Sequence, residues 1–177
     1  MREGFFEKYI KHPGIDIGCG RDIVHPAFKG WDIMHGDGDA AEMKGVPAGH
    51  YSTVYSSHLL EHMRDPVSVL RRWYELLAPG GLLIVMVPHR DLYERKITLP
   101  STWNDDHKWF WHPDVGDGND TLGLRETVMK AAPDAILVSL RVIDKGWIPL
   151  PPEQHATGEY SIEIIVRRPE AHVADAS

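Results

Sequence analysis

The amino-acid sequence predicts an α/β fold, with a single domain built around a doubly wound, mostly parallel sheet whose final strand is antiparallel. Three observations support this class. Short apolar runs alternate with helical patterns, the first run ends in a glycine-rich turn at 18–20, and only a Pro-rich loop joins the last two runs, 135–143 and 160–166. A short connection between the first two strands further predicts an abbreviated crossover helix.

Composition and charge are those of one globular domain. The chain has 177 residues, of which 42% are apolar and 25% are charged, enough for one core and too few for two ordinary domains. Its longest apolar run, 82–88, is too short to span a membrane. The lone cysteine, Cys19, is typical of a reducing compartment, and the net charge of −7 disfavours nucleic-acid binding. We therefore expect a cytoplasmic protein without membrane or nucleic-acid partners.

The first two strands lie close together in the sequence. Residues 1–13 form a lead-in with one helical turn, and the first strand is predicted at Gly14–Ile17. Only Gly18–Gly30 separate it from the second extended segment, Trp31–Ile33. Because a full crossover helix with its loops needs more residues, we expect this helix to be reduced to about one turn.

The clearest helix is predicted to begin after Asp65. Asp65 is a good N-cap, and Pro66 occupies the first helical position, where its missing N–H costs nothing. The apolar positions that follow have helical spacing: Val67, Leu70, Trp73 and Leu77. A strand at 51–56 precedes this helix, Pro79–Gly81 end it, and the apolar run 82–87 is typical of a buried parallel strand.

The second half of the chain begins with an irregular segment. Residues 89–118 are rich in aromatic and charged side chains, and such a long segment predicts a functional loop or lid. A helix is predicted at 121–132, followed by the two final strands at 135–143 and 160–166, and 169–177 is expected to be a flexible tail. No internal repeat or linker divides residues 1–177, so we expect one domain.

The glycine-rich turn after the first strand is the most informative local feature. Gly18 and Gly20 allow the backbone to approach a ligand closely, because glycine has no Cβ and adopts positive φ at little cost. Asp16 lies within a strand predicted to be buried, where a carboxylate needs a polar partner. This turn alone is weak evidence for a ligand-binding site, and the motifs that follow it strengthen that interpretation.

Taken in order, these motifs resemble a class I S-adenosylmethionine-dependent methyltransferase, with a Rossmann-like sheet, over residues 14–88. The motifs are Gly14–Gly20, Trp31–Ile33, Gly38–Ala40, Tyr55–His62 and Leu77–Gly81. The short first crossover, the Ser-Ser-His-Leu-Leu-Glu-His segment and the later segments 87–91 and 99–108 are similar to small methyltransferases found with glycan biosynthesis enzymes.

The resemblance implies that S-adenosylmethionine is the cofactor and assigns its binding residues. Gly18 and Gly20 would face the methionine portion, while Asp16 fixes the loop or the ammonium group. Asp32 would accept hydrogen bonds from both ribose hydroxyls. The adenine would lie against Asp39 and Ala40. The remaining cofactor-binding residues implied are Cys19 in the glycine turn and Ser56 and Ser57 beneath the sulfonium.

Two alternatives stay open at this point. A nicotinamide-dependent oxidoreductase shares the glycine turn, but it needs a third glycine and a helix N-terminus to receive a pyrophosphate. Arg21 and Asp22 follow Gly20 instead. The second alternative is a catalytically degenerate methyltransferase-like domain that binds a cofactor or partner, which the short N-terminal region favours.

Methyl transfer to oxygen requires a base, since the acceptor hydroxyl must lose its proton. His58, His89 and His107 are the candidate bases, each following a strand or lying in the 89–118 loop. The aromatic residues of that loop would recognise a small-molecule or saccharide acceptor, although some of them must pack in the core. The nearly absent N-terminal helices imply an open pocket, or one closed by this loop or by a second subunit of a homo-oligomer.

Other roles compete for the same polar residues. Glu61 and His62 could simply stabilise the loop before the helix. A metal site at Asp105, Asp106, His107 and His112 is a further alternative. His107 and His112 are five positions apart, which does not place two ligands on one helix face, and no cysteine joins them. We therefore expect no metal.

Overall fold

A computed structural model describes residues 4–151 and 153–171 of the chain. Its α-helices are α1 (Phe5–Tyr9), α2 (Pro66–Glu75), α3 (Arg90–Tyr93) and α4 (Leu124–Ala131). Its strands are β1 (Gly14–Ile17), β2 (Lys29–Trp31), β3 (Tyr51–Ser57), β4 (Leu77–Pro88), β5 (Phe110–His112), β6 (Thr121–Gly123), β7 (Ile136–Ile143) and β8 (Ser161–Arg167). Two 3₁₀ turns lie at Ile33–His35 and Leu60–His62.

The main sheet has six strands in the order β2-β1-β3-β4-β8-β7. The four strands from β2 to β4 are parallel, whereas β8 runs antiparallel to both β4 and β7. Asp16 on β1 is level with Gly30 on β2 and Tyr55 on β3. The predicted α/β fold, with its antiparallel final strand, is confirmed. The carboxyl ends of β1, β2 and β3 consequently meet at one edge of the sheet.

The link between β1 and β2 contains no helix at all. Within 18–28 the chain forms only turns and bends, so the predicted helical turn is wrong. The second strand ends at Trp31, one residue before Asp32, instead of covering 31–33. Eleven residues are too few to leave the sheet, form a helix and return alongside β1. The glycine turn therefore leads into an open loop.

Helix α2 begins where its capping residues predict. Oδ1 of Asp65 accepts a hydrogen bond from the backbone N–H of Ser68 at 3.1 Å, and Pro66 starts the helix. Leu70 and Trp73 are fully buried, whereas Leu77 already belongs to β4. The predicted strand at 82–87 is longer than expected, because β4 extends from Leu77 to Pro88.

Two predicted elements of the second half differ from the structure. The helix predicted at 121–132 is shorter, because Thr121–Gly123 form strand β6 and pair with Phe110–His112 in a separate two-stranded sheet. The 89–118 segment, expected to be irregular, contains α3 and β5. Of the predicted tail, residues 172–177 lie outside the described part of the chain.

The sheet has an apolar core on each face. One face packs against α2 and α4 through residues such as Ile17, Val85 and Val128. The other face packs against α1 through Phe5, with Phe28 and Ile84. Among the described residues, no helix is long and apolar enough to cross a membrane.

Candidate active site

A pocket of about 360 Å³ opens at the carboxyl ends of β1 and β3. It contains four of the predicted cofactor-binding residues. Its lining residues are Asp16, Gly18, Cys19, Asp22, Val24, Tyr55 and Ser57. Gly18 has a φ of +75°, and a Cβ at this position would lie 2.6 Å from the Leu59 side chain. The turn at this point therefore requires glycine both for its backbone conformation and for the approach of the next segment.

Asp16 is a buried carboxyl group at the base of this pocket. Its side chain is 3% exposed, and Oδ2 accepts a hydrogen bond from the backbone N–H of Val24 at 2.7 Å. Burial, opposed by the Val24 hydrogen bond and aided by the nearby Asp32, raises the pKa of Asp16 to about 6. The group is therefore suited to a cationic partner, which would restore its ionised form.

Asp32 closes the glycine turn from the end of β2. Oδ2 accepts from the backbone N–H of Gly20 at 2.9 Å, and Oδ1 accepts from that of Met34 at 2.8 Å. The backbone N–H of Asp32 in turn donates to Oδ2 of Asp37 at 3.0 Å. Each carboxylate oxygen has two lone pairs, so both oxygens can still accept a further hydrogen bond from a ligand.

The predicted adenine contacts are not among the residues that line this pocket. Oδ1 of Asp39 accepts from the backbone N–H of Ala41 at 2.7 Å and fixes the local turn. The carbonyl of Ala40 accepts from the indole N–H of Trp73 at 2.8 Å. Trp73 is a fully buried residue of α2, so this hydrogen bond holds the 39–41 segment against the helix.

The two serines at the end of β3 differ in role. Ser57 lines the pocket, whereas Ser56 is 1% exposed and its hydroxyl donates to the Ile17 carbonyl at 2.9 Å. Ser56 therefore ties β3 to β1 beneath the pocket and does not present its side chain to it. Burial and the nearby Asp16 raise the pKa of the Cys19 thiol, which stays protonated and fills space.

His58 follows the pocket-lining Ser57 directly. Its φ is +53°, its Nε2 lies 2.9 Å from Oγ of Ser161, and its Nδ1 lies 3.7 Å from Oε1 of Glu61. The side chain remains 38% exposed. Desolvation by the surrounding protein and the neighbouring His62 lower the pKa of His58, so its ring is neutral at pH 7 and can accept a proton.

His107 joins Glu61 and His62 in a second polar group, which we call the His–Glu cluster (Glu61, His62 and His107). One ligand atom from each residue lies within 4.8 Å of the others. Glu61 and His107 are 1% and 6% exposed. Burial raises the pKa of Glu61 to about 8, and burial together with His62 lowers that of His107 to about 4. Both side chains are consequently neutral at pH 7 in the ligand-free chain.

His89 differs from the other two candidate bases because its side chain caps a helix. Its Nδ1 accepts from the backbone N–H of Asp91 at 3.1 Å, capping α3, and its ring is 5.9 Å from that of His112. Because the neutral imidazole then carries its proton on Nε2, His89 is a hydrogen-bond donor on its free side. Burial lowers its pKa. The structure brings His58 and His107 to the same region and leaves His89 in a capping position.

The aromatic residues of the 89–118 segment divide between core and surface. Phe110 and Trp111 are buried and belong to the hydrophobic core or its edge. Trp109 instead lines a groove of about 450 Å³ together with His107. The other residues of this groove are Arg64, Leu99, Pro100, Asp105 and Lys108. A separate cavity of about 560 Å³ lies between the starts of α2 and α4, and the predicted site residues do not line it.

The central position of Glu61 in the His–Glu cluster is not apparent from the sequence. It lies in a 3₁₀ turn that buries its carboxyl group, and the backbone N–H of Lys108 donates to its carbonyl at 2.8 Å. This contact joins two segments that are more than forty positions apart in the sequence. Tyr93 and Tyr160 also pack beside these histidines, with ring centroids 5.7 Å from His107 and 6.1 Å from His58. No local pattern marks either tyrosine.

The fold and the strand-end pocket define a class of protein: a Rossmann-like domain that binds a small ligand at the carboxyl ends of parallel strands. Residues 5–117, well over half of the chain, match the family described as "Methyltransferase domain". The chain therefore belongs to the S-adenosylmethionine-dependent methyltransferases of class I. The cofactor of this family is S-adenosylmethionine.

Individual proteins are similar to this chain over part or most of its length. A ubiquinone biosynthesis O-methyltransferase from Caulobacter sp. (strain K31) is 37% identical over 69 residues, which cover 39% of this chain and 27% of that protein. The chain thus spans about a quarter of the length of this curated relative. A Mesorhizobium loti S-adenosylmethionine-dependent methyltransferase superposes with a TM-score of 0.54 at 14% identity, covering 88% of this chain and 90% of that one.

A second similar structure is described as "Conversion of a Disulfide Bond into a Thioacetal Group during Echinomycin Biosynthesis". It superposes with a TM-score of 0.58 at 15% identity, covering 90% of this chain and 76% of that chain. At this level of identity the similarity concerns the fold, because one fold supports several chemistries.

The residues of the pocket fit the family's cofactor. Asp16 offers a buried carboxyl group whose raised pKa reflects the lack of a positive partner, which an ammonium or sulfonium group can supply. The glycine turn leaves open backbone beside it, since a Cβ at Gly20 would meet nothing within 4 Å. With no helix described between β1 and β2, the turn has no helix N-terminus to receive a pyrophosphate, which disfavours the nicotinamide alternative.

Proposed function

We propose that this chain transfers a methyl group from S-adenosylmethionine to a hydroxyl group of a small-molecule or saccharide acceptor. The observation that carries the proposal is that the pocket adjoins a candidate base. Ser57 lines the pocket, and His58 follows it directly and lies near Glu61. The O-methyltransferase similarity over 69 residues supports oxygen as the acceptor atom.

In this proposal the pocket holds the cofactor through three kinds of contact. Asp16 pairs with the ammonium group, the glycine turn bounds the methionine portion, and Asp32 accepts from the ribose hydroxyls. Asp39 and Ala40 lie beyond Asp32 and are assigned to the adenine. When bound, S-adenosylmethionine supplies an electrophilic methyl group on a positively charged sulfur, which leaves as a thioether once an acceptor oxygen takes the methyl group.

The role of the protein is to align the acceptor and to remove its proton. We assign the base to His58, because its ring is neutral and partly exposed beside the pocket. The hydroxyl proton moves to Nδ1 of His58, the ring nitrogen on the side of Glu61. Ser161, which lies 2.9 Å from Nε2, holds the other side of the ring. The groove beside His107 and Trp109 is the proposed acceptor surface.

The test is release of S-adenosylhomocysteine from the purified chain in the presence of phenolic and saccharide acceptors. His58→Gln should lower the transfer rate by about 100-fold or more, the usual contribution of general-base catalysis, and should leave S-adenosylhomocysteine affinity unchanged. His50→Gln is the matched control, since His50 is an exposed loop residue before β3. An undiminished rate in His58→Gln would remove this histidine as the base.

A second candidate is a domain that binds the cofactor without transferring its methyl group. The open loop between β1 and β2, which lacks the usual covering helix, favours this alternative. Calorimetry with S-adenosylmethionine separates the two candidates. Tight binding without turnover on any acceptor would favour the degenerate domain, whereas turnover with any hydroxyl acceptor excludes it.

A further inference from the structure

The His–Glu cluster combines residues that are distant in the sequence. Glu61 and His62 belong to the 3₁₀ turn after β3, and His107 comes from the 89–118 segment, yet one ligand atom from each lies within 4.8 Å of the others. The backbone N–H of Lys108 donates to the Glu61 carbonyl at 2.8 Å. The two segments are therefore held together by the main chain, independently of the cluster side chains.

The carboxyl group of Glu61 accepts a hydrogen bond from its own backbone N–H but has fewer partners than a buried carboxylate needs. The side chain is 1% exposed, and within the described part of the chain its buried Oε2 has no hydrogen-bond partner. Its Oε1 lies 3.7 Å from Nδ1 of His58, which is longer than a hydrogen bond. Burying such a group costs several kcal/mol unless a cation or a proton compensates it. In the ligand-free chain a proton compensates Glu61, and a bound cation can take the place of that proton, because the unpartnered Oε2 leaves a lone pair for it.

His62 is oriented in the way that metal-binding histidines commonly are. Its Nδ1 lies 2.9 Å from Oδ2 of Asp106, which leaves Nε2 as the nitrogen able to bind a ligand. The other oxygen of Asp106 accepts from Nζ of Lys108 at 2.7 Å. A carboxylate that fixes the ring and raises the basicity of the outward nitrogen is the usual outer partner of a histidine ligand.

We propose that Glu61, His62 and His107 form a binding site for a divalent first-row transition-metal ion, with Asp106 as the outer partner of His62. Two imidazoles and one carboxylate suit zinc, cobalt or manganese better than magnesium or calcium, which prefer oxygen ligands alone. The sequence-based expectation of no metal rests on the spacing of His107 and His112. The structure places His112 beside His89 instead, and supplies Glu61 and His62 in its place.

Three protein ligands leave open positions on such an ion. The cluster borders the acceptor groove through His107 and contacts the proposed base through Glu61 and His58. An acceptor oxygen bound at an open position would have a lower pKa and a fixed orientation toward the cofactor pocket. This role of the ion rests on the proposed methyl transfer, whereas the binding site itself does not.

The direct test is a titration of the chelator-treated full chain with Co²⁺ and Zn²⁺, followed by absorption and calorimetry, without cofactor or acceptor. We expect one ion per chain and ligand-field absorption of nitrogen-ligated Co²⁺. Asp106→Asn removes the outer partner and should weaken metal binding by about 10- to 100-fold. Glu61→Gln and His62→Ala each remove a ligand and should weaken metal binding by more than this. His112→Ala, in the same segment, is the matched control and should bind as the wild type does.

The outcomes separate this inference from the proposed function. Absence of stoichiometric binding, or equal binding by the wild type and Glu61→Gln, would overturn the metal site whether or not the chain methylates anything. Glu61→Gln keeps the size of the side chain, so its fold can be checked by circular dichroism. If the site binds an ion but chelation leaves the transfer rate unchanged, the acceptor-holding role is overturned.

Discussion

The backbone N–H of Gly20 donates a hydrogen bond to Oδ2 of Asp32 over 2.9 Å, linking the glycine turn after β1 to the residue that follows β2. This contact places a carboxylate beside the turn without any helix between the two strands. The chain thus forms this edge of the sheet from strand ends and a short loop. Asp32 both shapes the turn and retains lone pairs for a ligand.

Replacement of Asp32 tests its assigned ribose contact. Asp32→Ala should weaken S-adenosylhomocysteine binding by about 1.5–3 kcal/mol, which is typical of charge-assisted hydrogen bonds. Asp32→Asn keeps the shape and one acceptor oxygen, so its loss should be smaller. Calorimetric titration measures both. Unchanged affinity in Asp32→Ala would refute the ribose role.

The buried carboxyl group of Asp16 predicts a pH-dependent stability. Burial raises its folded-state pKa from 3.8 to about 6, so the folded chain favours the protonated form. The stability contributed by this group is therefore fully present below about pH 4 and is lost as the pH rises through about 6. Asp16→Asn should be more stable than the wild type at pH 7, by about 1–3 kcal/mol.

Denaturant unfolding at pH 4 and pH 7 measures this difference. At the lower pH the wild-type carboxyl group is protonated and resembles the amide of the variant, so the two proteins should converge. The Asn side chain can still accept the Val24 hydrogen bond, which keeps the local structure comparable. A stability difference that is the same at both pH values would contradict the assignment.

His107 should affect transfer and not cofactor binding. It lies in the His–Glu cluster, outside the residues that line the cofactor pocket. His107→Ala should lower the transfer rate by about 100-fold, since His107 borders the proposed acceptor groove and a misplaced acceptor costs about this much. The dissociation constant of S-adenosylhomocysteine should stay the same. His112→Ala is the control from the same segment, and an equal loss in both variants would indicate a general disturbance of the loop.

Trp73 connects the stability of α2 to the cofactor side of the sheet. Its side chain is fully buried and its indole N–H donates to the Ala40 carbonyl at 2.8 Å. Trp73→Phe leaves a cavity and an unpaired carbonyl, so it should cost about 1–3 kcal/mol of unfolding free energy and should weaken cofactor binding as the 39–41 segment loosens.

The matched control for this variant is Trp147→Phe. The indole of Trp147 makes a comparable hydrogen bond, 3.0 Å to the Leu92 carbonyl, away from the cofactor pocket. It should lose stability without losing cofactor affinity. If both variants bind the cofactor equally well, Ala40 does not depend on Trp73 for its position.

Elements with strong local signals were predictable from the sequence. Helix α2 begins at Pro66 because Asp65 caps it and proline fits the first position, and β1 spans Gly14–Ile17 as its apolar run indicates. Thr121–Gly123 form a strand instead of a helix because they pair with Phe110–His112, a tertiary contact that propensity does not contain.

The strand-end pocket was more predictable from the sequence than the His–Glu cluster. The glycine turn and Asp16 are adjacent in the sequence, so their proximity follows from the end of one strand. The His–Glu cluster depends instead on where the 89–118 segment returns to the 3₁₀ turn after β3. The contact between Glu61 and Lys108 fixes that return, and nothing in the local pattern of either segment specifies it.

We propose that the ends of β1, β2 and β3 together hold one S-adenosylmethionine molecule. A crystal structure with bound S-adenosylhomocysteine tests it most directly. We predict that the amino-acid portion lies against Asp16 and Gly18, that the ribose hydroxyls lie within hydrogen-bond distance of Asp32, and that the sulfur faces Ser57 and His58. Ligand bound elsewhere, such as between α2 and α4, with Asp16 and Asp32 untouched, would contradict the claim.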